Sequence, residues 1–206
     1  MPQMATVARM LRLIAMIIAV LLPGVYVALQ VFHYQMLPSK FLITIVSATQ
    51  GIPFTPLIEM IVVILLFDIL REANSRMPQI AGLSLSIVGA IILGDAAVKA
   101  GLLGAPAVMI GAMSGIGLYT MPDNTMLFML MRIAFTLLGG YVGILGILLG
   151  VMLVVSYVVS LDQLGTPYLA PIAPSIQNDK MDALYKKSLQ DLQKRDASAM
   201  SIRGKD

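Results

Sequence analysis

From Leu13 to Phe32 the chain runs for twenty residues without a charge. At about 1.5 Å of rise per residue, a helix of that length matches the roughly 30 Å hydrocarbon core of a bilayer. Arg9 and Arg12 precede the run, and Pro23-Gly24 predicts a kink inside it. A cleavable leader would be shorter and would end at a small-residue cleavage site, so the segment reads as a retained span. Composition agrees: 58% of residues are hydrophobic and 12% charged, whereas a soluble domain carries about 25% charged residues to cover its surface.

Further apolar runs follow. After a polar interval from His33 to Lys40, residues 41–48 are too few to cross as a helix. Residues 57–70 open at Pro53 and Pro56 and close on Asp68, Arg71 and Glu72. Their charge-free core is only Met60 to Phe67, which suits a re-entrant, interfacial or pore-facing helix better than a lipid-facing span. Residues 79–103 are long enough to cross but contain Asp95 and Lys99. Residues 105–121 form a short glycine-rich crossing between Pro106 and Pro122, and residues 126–161 read as one very long helix interrupted only by Arg132.

Orientation follows from the basic residues near the spans. Arg9 and Arg12 lie at one end, and residues 178–206 hold seven of the fourteen Lys and Arg, so both ends are expected in the cytoplasm, with an even number of crossings. The fold class is therefore all-α: a polytopic integral membrane protein with about four transmembrane helices (13–32, 79–103, 105–121, 126–161) plus a re-entrant or interfacial helical hairpin over 41–73. This places Lys40, Arg71 and Arg76 on the outer side, against the same rule. The transmembrane domain covers 1–161, and 162–206 form a cytosolic tail. Three prolines keep Leu164 to Pro174 from being helical throughout. Met181, Leu184, Tyr185, Leu189 and Leu192 then predict a short amphipathic helix.

Charges inside a membrane protein are costly, so each calls for a partner or for water. Asp95 and Lys99 are four apart on one helix and can pair. The pair either fixes packing or lines a polar path with Ser84, which shares its face. Glu59 and Asp68 are nine residues apart, on opposite sides of a helix, and so form no carboxylate site by themselves. Asp68 is expected to pair with Arg71 at the helix end. Glu59 either sits at the positive end of the helix dipole or attracts cations in a pore. Glu59, Asp68, Asp95 and Lys99 are thus the candidates for a pore or polar pathway.

Gly139, Gly143, Gly146 and Gly150 recur at steps of four, three and four, a stripe against which another backbone can pack closely, within one subunit or between two. Gly111 and Gly115 repeat the pattern one helix earlier.

Enzymatic chemistry finds little support. There is no cysteine, which excludes thiolate metal sites and a cysteine nucleophile. The scattered methionines form no copper site, and the single His33 reads as an interfacial residue. The run Ile92-Leu93-Gly94-Asp95 lacks the first glycine of the intramembrane aspartyl protease motif, and no phosphate-cradling loop is present. No metal, cofactor or enzymatic activity is expected. Acids interleave the basic tail, which argues against a nucleic-acid partner.

Several stretches, in order, resemble the membrane half of the A subunit of GerA-type spore germinant receptors. These are Leu21-Leu22-Pro23-Gly24-Val25-Tyr26-Val27-Ala28-Leu29, Gly51-Ile52-Pro53-Phe54 leading to Glu59, Phe67-Asp68-Ile69-Leu70-Arg71-Glu72-Ala73, Ser86-Ile87-Val88-Gly89-Ala90, Gly94-Asp95-Ala96-Ala97-Val98 and Gly165-Thr166-Pro167-Tyr168-Leu169-Ala170-Pro171. Together they cover roughly residues 9–174. The stage V sporulation paralogue of that subunit has the same membrane half and is a close alternative.

The resemblance implies a subunit of a germinant receptor in the inner membrane of a bacterial endospore. Its implied partners are membrane lipids, a transporter-like B subunit, a lipoprotein C subunit and further copies of itself, and the implied activity is nutrient-gated conduction of monovalent cations. Family members carry a large cytosolic region before this half, whereas here eight residues precede Arg9. A non-conducting scaffold that assembles partner subunits is the alternative. A secondary transporter ranks third, because no internal repeat is evident.

Overall fold

Helix α1 (Pro2–Val31) runs uninterrupted through Pro23 in the computed structural model, which describes residues 2–76, 89, 91–121, 124–163 and 166–167. Proline has no N–H, so the carbonyl four residues back, on Ala19, is left without its helical donor. A 3₁₀ turn over Tyr34–Met36 leads to α2 (Ser39–Thr49). A tight turn with Gly51 at φ 90° then precedes α3 (Pro56–Ser75). Pro56 suits the first turn of α3, where an N–H would lack a partner in any case.

A π-helical turn over Ile92–Ala96 continues into Ala97–Lys99, and Gly101 at φ 68° ends that segment. Helix α4 (Ala105–Leu118) starts after Gly104, again with a proline in its first turn. Helices α5 (Thr125–Val142) and α6 (Ile144–Ser160) follow. Among the described residues, the regular structure is helical apart from one short antiparallel pairing of Asp162–Gln163 with Thr166–Pro167.

Two compact units make up the chain, one of Ala15–Leu148 and one of Met1–Ile14 with Leu149–Asp206. In the first, α3 packs chiefly on α4 and α5. The apolar core there gathers Val27 from α1, Ile45 from α2, Met60, Val63 and Ile64 from α3, and Ala107 from α4.

Several expectations change. The single helix over 126–161 is two helices, because Gly143 adopts φ 77°, ψ −155°, a conformation essentially reserved for glycine. The crossing over 105–121 shortens to a helix of 14 residues, about 21 Å long at the α-helical rise. Among the described residues, two helices are long and apolar enough to cross a membrane, Thr6–Val31 and Thr125–Val142. The four expected crossings are not reached among the described residues. Residues 79–88 and 90 of the 79–103 segment, Ser84 among them, and the amphipathic stretch over 180–194 lie outside the described residues.

Candidate functional site

The first unit holds a chain of polar contacts that begins at Pro23. The Ala19 carbonyl it frees accepts a hydrogen bond from Ser114 Oγ on α4 at 2.5 Å. Arg132 Nη1 on α5 donates to the same Ser114 oxygen at 3.0 Å. Arg132 Nη2 in turn donates to Asp68 Oδ1 on α3, an ion pair with both side chains inside the unit. Thr136 Oγ1 closes the group by donating to the Arg132 carbonyl at 2.8 Å. Arg132 is 0% and Asp68 7% exposed. Four helices are thereby tied through one guanidinium whose charge is balanced inside the protein, the condition under which a buried charge is tolerated.

Asp68 therefore pairs with Arg132 and not with Arg71, as the i,i+3 spacing suggests. A partner on another helix neutralises the carboxylate where water cannot reach it. Arg71 makes no ion pair among the described residues. Arg132 is the interior polar residue that the sequence reading passes over, since it takes Arg132 only as an interruption of a long helix. The available signal was that a lone charge in an apolar run requires an opposite charge on some other helix.

Glu59, in the first turn of α3 and 1% exposed, accepts a hydrogen bond from the Gly104 amide at 2.6 Å. That amide lies at the entry to α4, where helix N–H groups are unpaired and the dipole favours an anion. A Cβ at residue 104 would stand 2.9 Å from the carboxylate oxygen, so glycine is what lets Glu59 approach. Nearby, Tyr26 accepts a hydrogen bond from Gln30 Nε2 at 3.0 Å. Glu59 and Asp68 thus belong to separate polar clusters along α3, as their opposite placement on the helix requires.

Asp95 and Lys99 do pair, with Lys99 Nζ donating to Asp95 Oδ2 at 2.8 Å. The pair is exposed, at 59% and 74% of the side chains. Asp95 lies in the π-helical turn and Lys99 in the short α-helical segment that follows it.

The four glycines do not share one stripe, since the helix breaks at Gly143. Gly139 lies against Gly24, and a Cβ at either would run into the other helix's backbone: the one on Gly24 would stand 2.5 Å from the Phe135 carbonyl oxygen. Here α1 and α5 touch backbone to backbone. Gly143 sits beside Phe32 and His33, Gly146 lies against Val142 in the turn before it, and Gly150 follows in α6. Gly111 faces Val63 of α3, whereas Gly115 has no neighbour where its Cβ would be.

Among the described residues, these features define a predominantly helical protein with two helices that meet the length and apolarity needed to cross a membrane, and with a charge pair in its interior. The description of the Bacillus/Clostridium GerA spore germination protein matches residues 1–198, and the chain belongs to that family. Spore germination protein KA of Bacillus subtilis (strain 168) is 35% identical over 184 residues, 88% of this chain and 34% of that protein. Spore germination protein GerLA of Bacillus cereus is 36% identical over 176 residues, 84% of this chain and 36% of its own length. The uncharacterized membrane protein YfkQ of Bacillus subtilis (strain 168) is 35% identical over 181 residues, covering 87% and 35% respectively. The chain thus spans about a third of the length of the curated relatives it matches. No solved structure matches it.

Proposed function

We propose that the chain is a membrane subunit of a spore germinant receptor, which assembles with copies of itself into a nutrient-gated path for monovalent cations in the inner spore membrane. A transporter-like B subunit and a lipoprotein C subunit complete the complex, and the C-terminal tail is cytoplasmic. About four crossings belong to this reading, with shorter apolar helices such as α4 completing those made by α1 and α5.

One observation carries the membrane part. Glu59, Asp68 and Arg132 are buried, while Met126, Tyr141 and Leu145 stand 76%, 72% and 67% exposed. That is the reverse of a surface made for water, and it suits lipid or neighbouring subunits.

Glu59→Gln tests conduction. Glutamine keeps an oxygen acceptor for the Gly104 amide and replaces the charge with a neutral amide, so the fold is expected to stand while cation flux through the reconstituted complex changes several-fold. Absence of flux through the unmodified complex would refute the channel. A non-conducting scaffold is the second reading, favoured by the engagement of Glu59 and Asp68 in bonds within one subunit. It predicts unchanged germination in Glu59→Gln spores.

A further inference from the structure

Arg71 is the cation left over at the C-terminal end of α3. Asp68 is taken by Arg132, and Glu72 pairs with Arg76 at 2.6 Å, so among the described residues three guanidinium groups there meet two carboxylates and one positive charge remains. Arg71 Nη1 is buried without a hydrogen-bond partner, and so is Asp68 Oδ2. Asp68 is more than nine-tenths buried. Both side chains line a cavity of about 290 Å³ whose other walls, including Phe67, Leu70 and Ile116, are largely apolar. They also line a second one of about 770 Å³, beside Leu65, Ile69 and Met126.

A buried donor and a buried acceptor, each without a partner, are costly unless a ligand engages both. The surplus charge selects an anion, and a guanidinium is suited to a phosphate. Asp68 Oδ2 requires a donor from the same ligand, which a headgroup hydroxyl supplies. The apolar walls, continuing onto the exposed Ile116 and Tyr119, require a hydrocarbon chain that free phosphate lacks.

We propose that Arg71 and Asp68 hold the headgroup of an anionic phospholipid bearing hydroxyl groups. The phosphate lies on Arg71, a hydroxyl donates to Asp68 Oδ2, and an acyl chain runs along the apolar walls. The site is independent of ion conduction.

The full chain in detergent, titrated with dioleoylphosphatidylglycerol, dioleoylphosphatidylcholine or inorganic phosphate and followed by native mass spectrometry and thermal unfolding, tests this. Phosphatidylglycerol is expected to bind about tenfold more tightly than phosphatidylcholine, the scale of one charge-assisted contact. Arg71→Gln, which removes the surplus charge, is expected to reduce the preference, and Lys99→Gln, which removes a charge from an exposed pair elsewhere, to leave it intact. Gly115→Val offers an independent variant, since a Cβ at this cavity-lining residue meets nothing within 4 Å. It narrows the cavity from a position where a Cβ is accommodated and is expected to weaken lipid binding. An undiminished preference in Arg71→Gln or undiminished phosphatidylglycerol binding in Gly115→Val overturns the proposal, as does inorganic phosphate stabilising the protein as well as phosphatidylglycerol does.

Discussion

Arg132→Met keeps much of the side chain's length and removes the charge that balances Asp68. The carboxylate left behind is 7% exposed, so water screens it little, and Ser114 retains only its bond to the Ala19 carbonyl. Breaking a buried pair from one side costs about 3–5 kcal/mol. The penalty of a lone charge within a membrane helix, about 2.5–3.5 kcal/mol, has the same size. Arg76→Met provides the contrast, because it breaks a pair whose side chains are 78% and 61% exposed. Such pairs contribute about 0.2–1 kcal/mol.

Arg132→Met combined with Asp68→Leu removes both charges and should recover most of the loss, since hydrophobic replacement of a whole buried pair is often neutral. Unfolding of the full chain in detergent by heat or added sodium dodecyl sulfate, followed by circular dichroism, compares the variants directly. Against a total stability of about 5–15 kcal/mol, Arg132→Met should unfold under markedly milder conditions than Arg76→Met. Equal destabilisation by the two, or a double variant less stable than Arg132→Met alone, would refute a charge-balanced interior pair.

Two further outcomes are expected from the glycines. Gly24→Ala places a methyl group 2.5 Å from the Phe135 carbonyl oxygen and should cost about 1–3 kcal/mol, the scale of overpacking. Gly94→Ala, with nothing within 4 Å, should be neutral, and equal thermal midpoints for the two would contradict the backbone contact. Gly143→Ala should cost about 1–3 kcal/mol through its φ of 77°, and an unchanged midpoint in the same assay would mean that the helix is continuous there.

The sequence by itself determined that the chain is built of apolar helices, and it determined their approximate positions, because uncharged runs and proline boundaries are local properties. α2 and α3 contain the runs read at 41–48 and 57–70, whereas α1 begins at Pro2, well before the run read at 13–32. The Asp95–Lys99 pairing was likewise legible, being a consequence of four-residue spacing on one helix. Local spacing failed where two choices were both open. It joined α5 to α6 across Gly143, since a glycine in an apolar run reads as helix until its backbone is seen in the glycine-only region. It also gave Asp68 the nearest cation in sequence.

Only the tertiary structure decided that the partner of Asp68 is Arg132, sixty-four residues away, and that Ser114 connects this pair to the carbonyl freed by Pro23. Those choices depend on which helices lie side by side, and apolar periodicity says nothing about that order. The run from Leu13 to Phe32 shows both sides. Its length and lack of charge were enough to give a helix with the length and apolarity needed to cross a membrane. Its proline, which read as a kink, proved to be the source of the acceptor on which the interior polar contacts converge, because a missing N–H leaves a carbonyl that only another helix can satisfy.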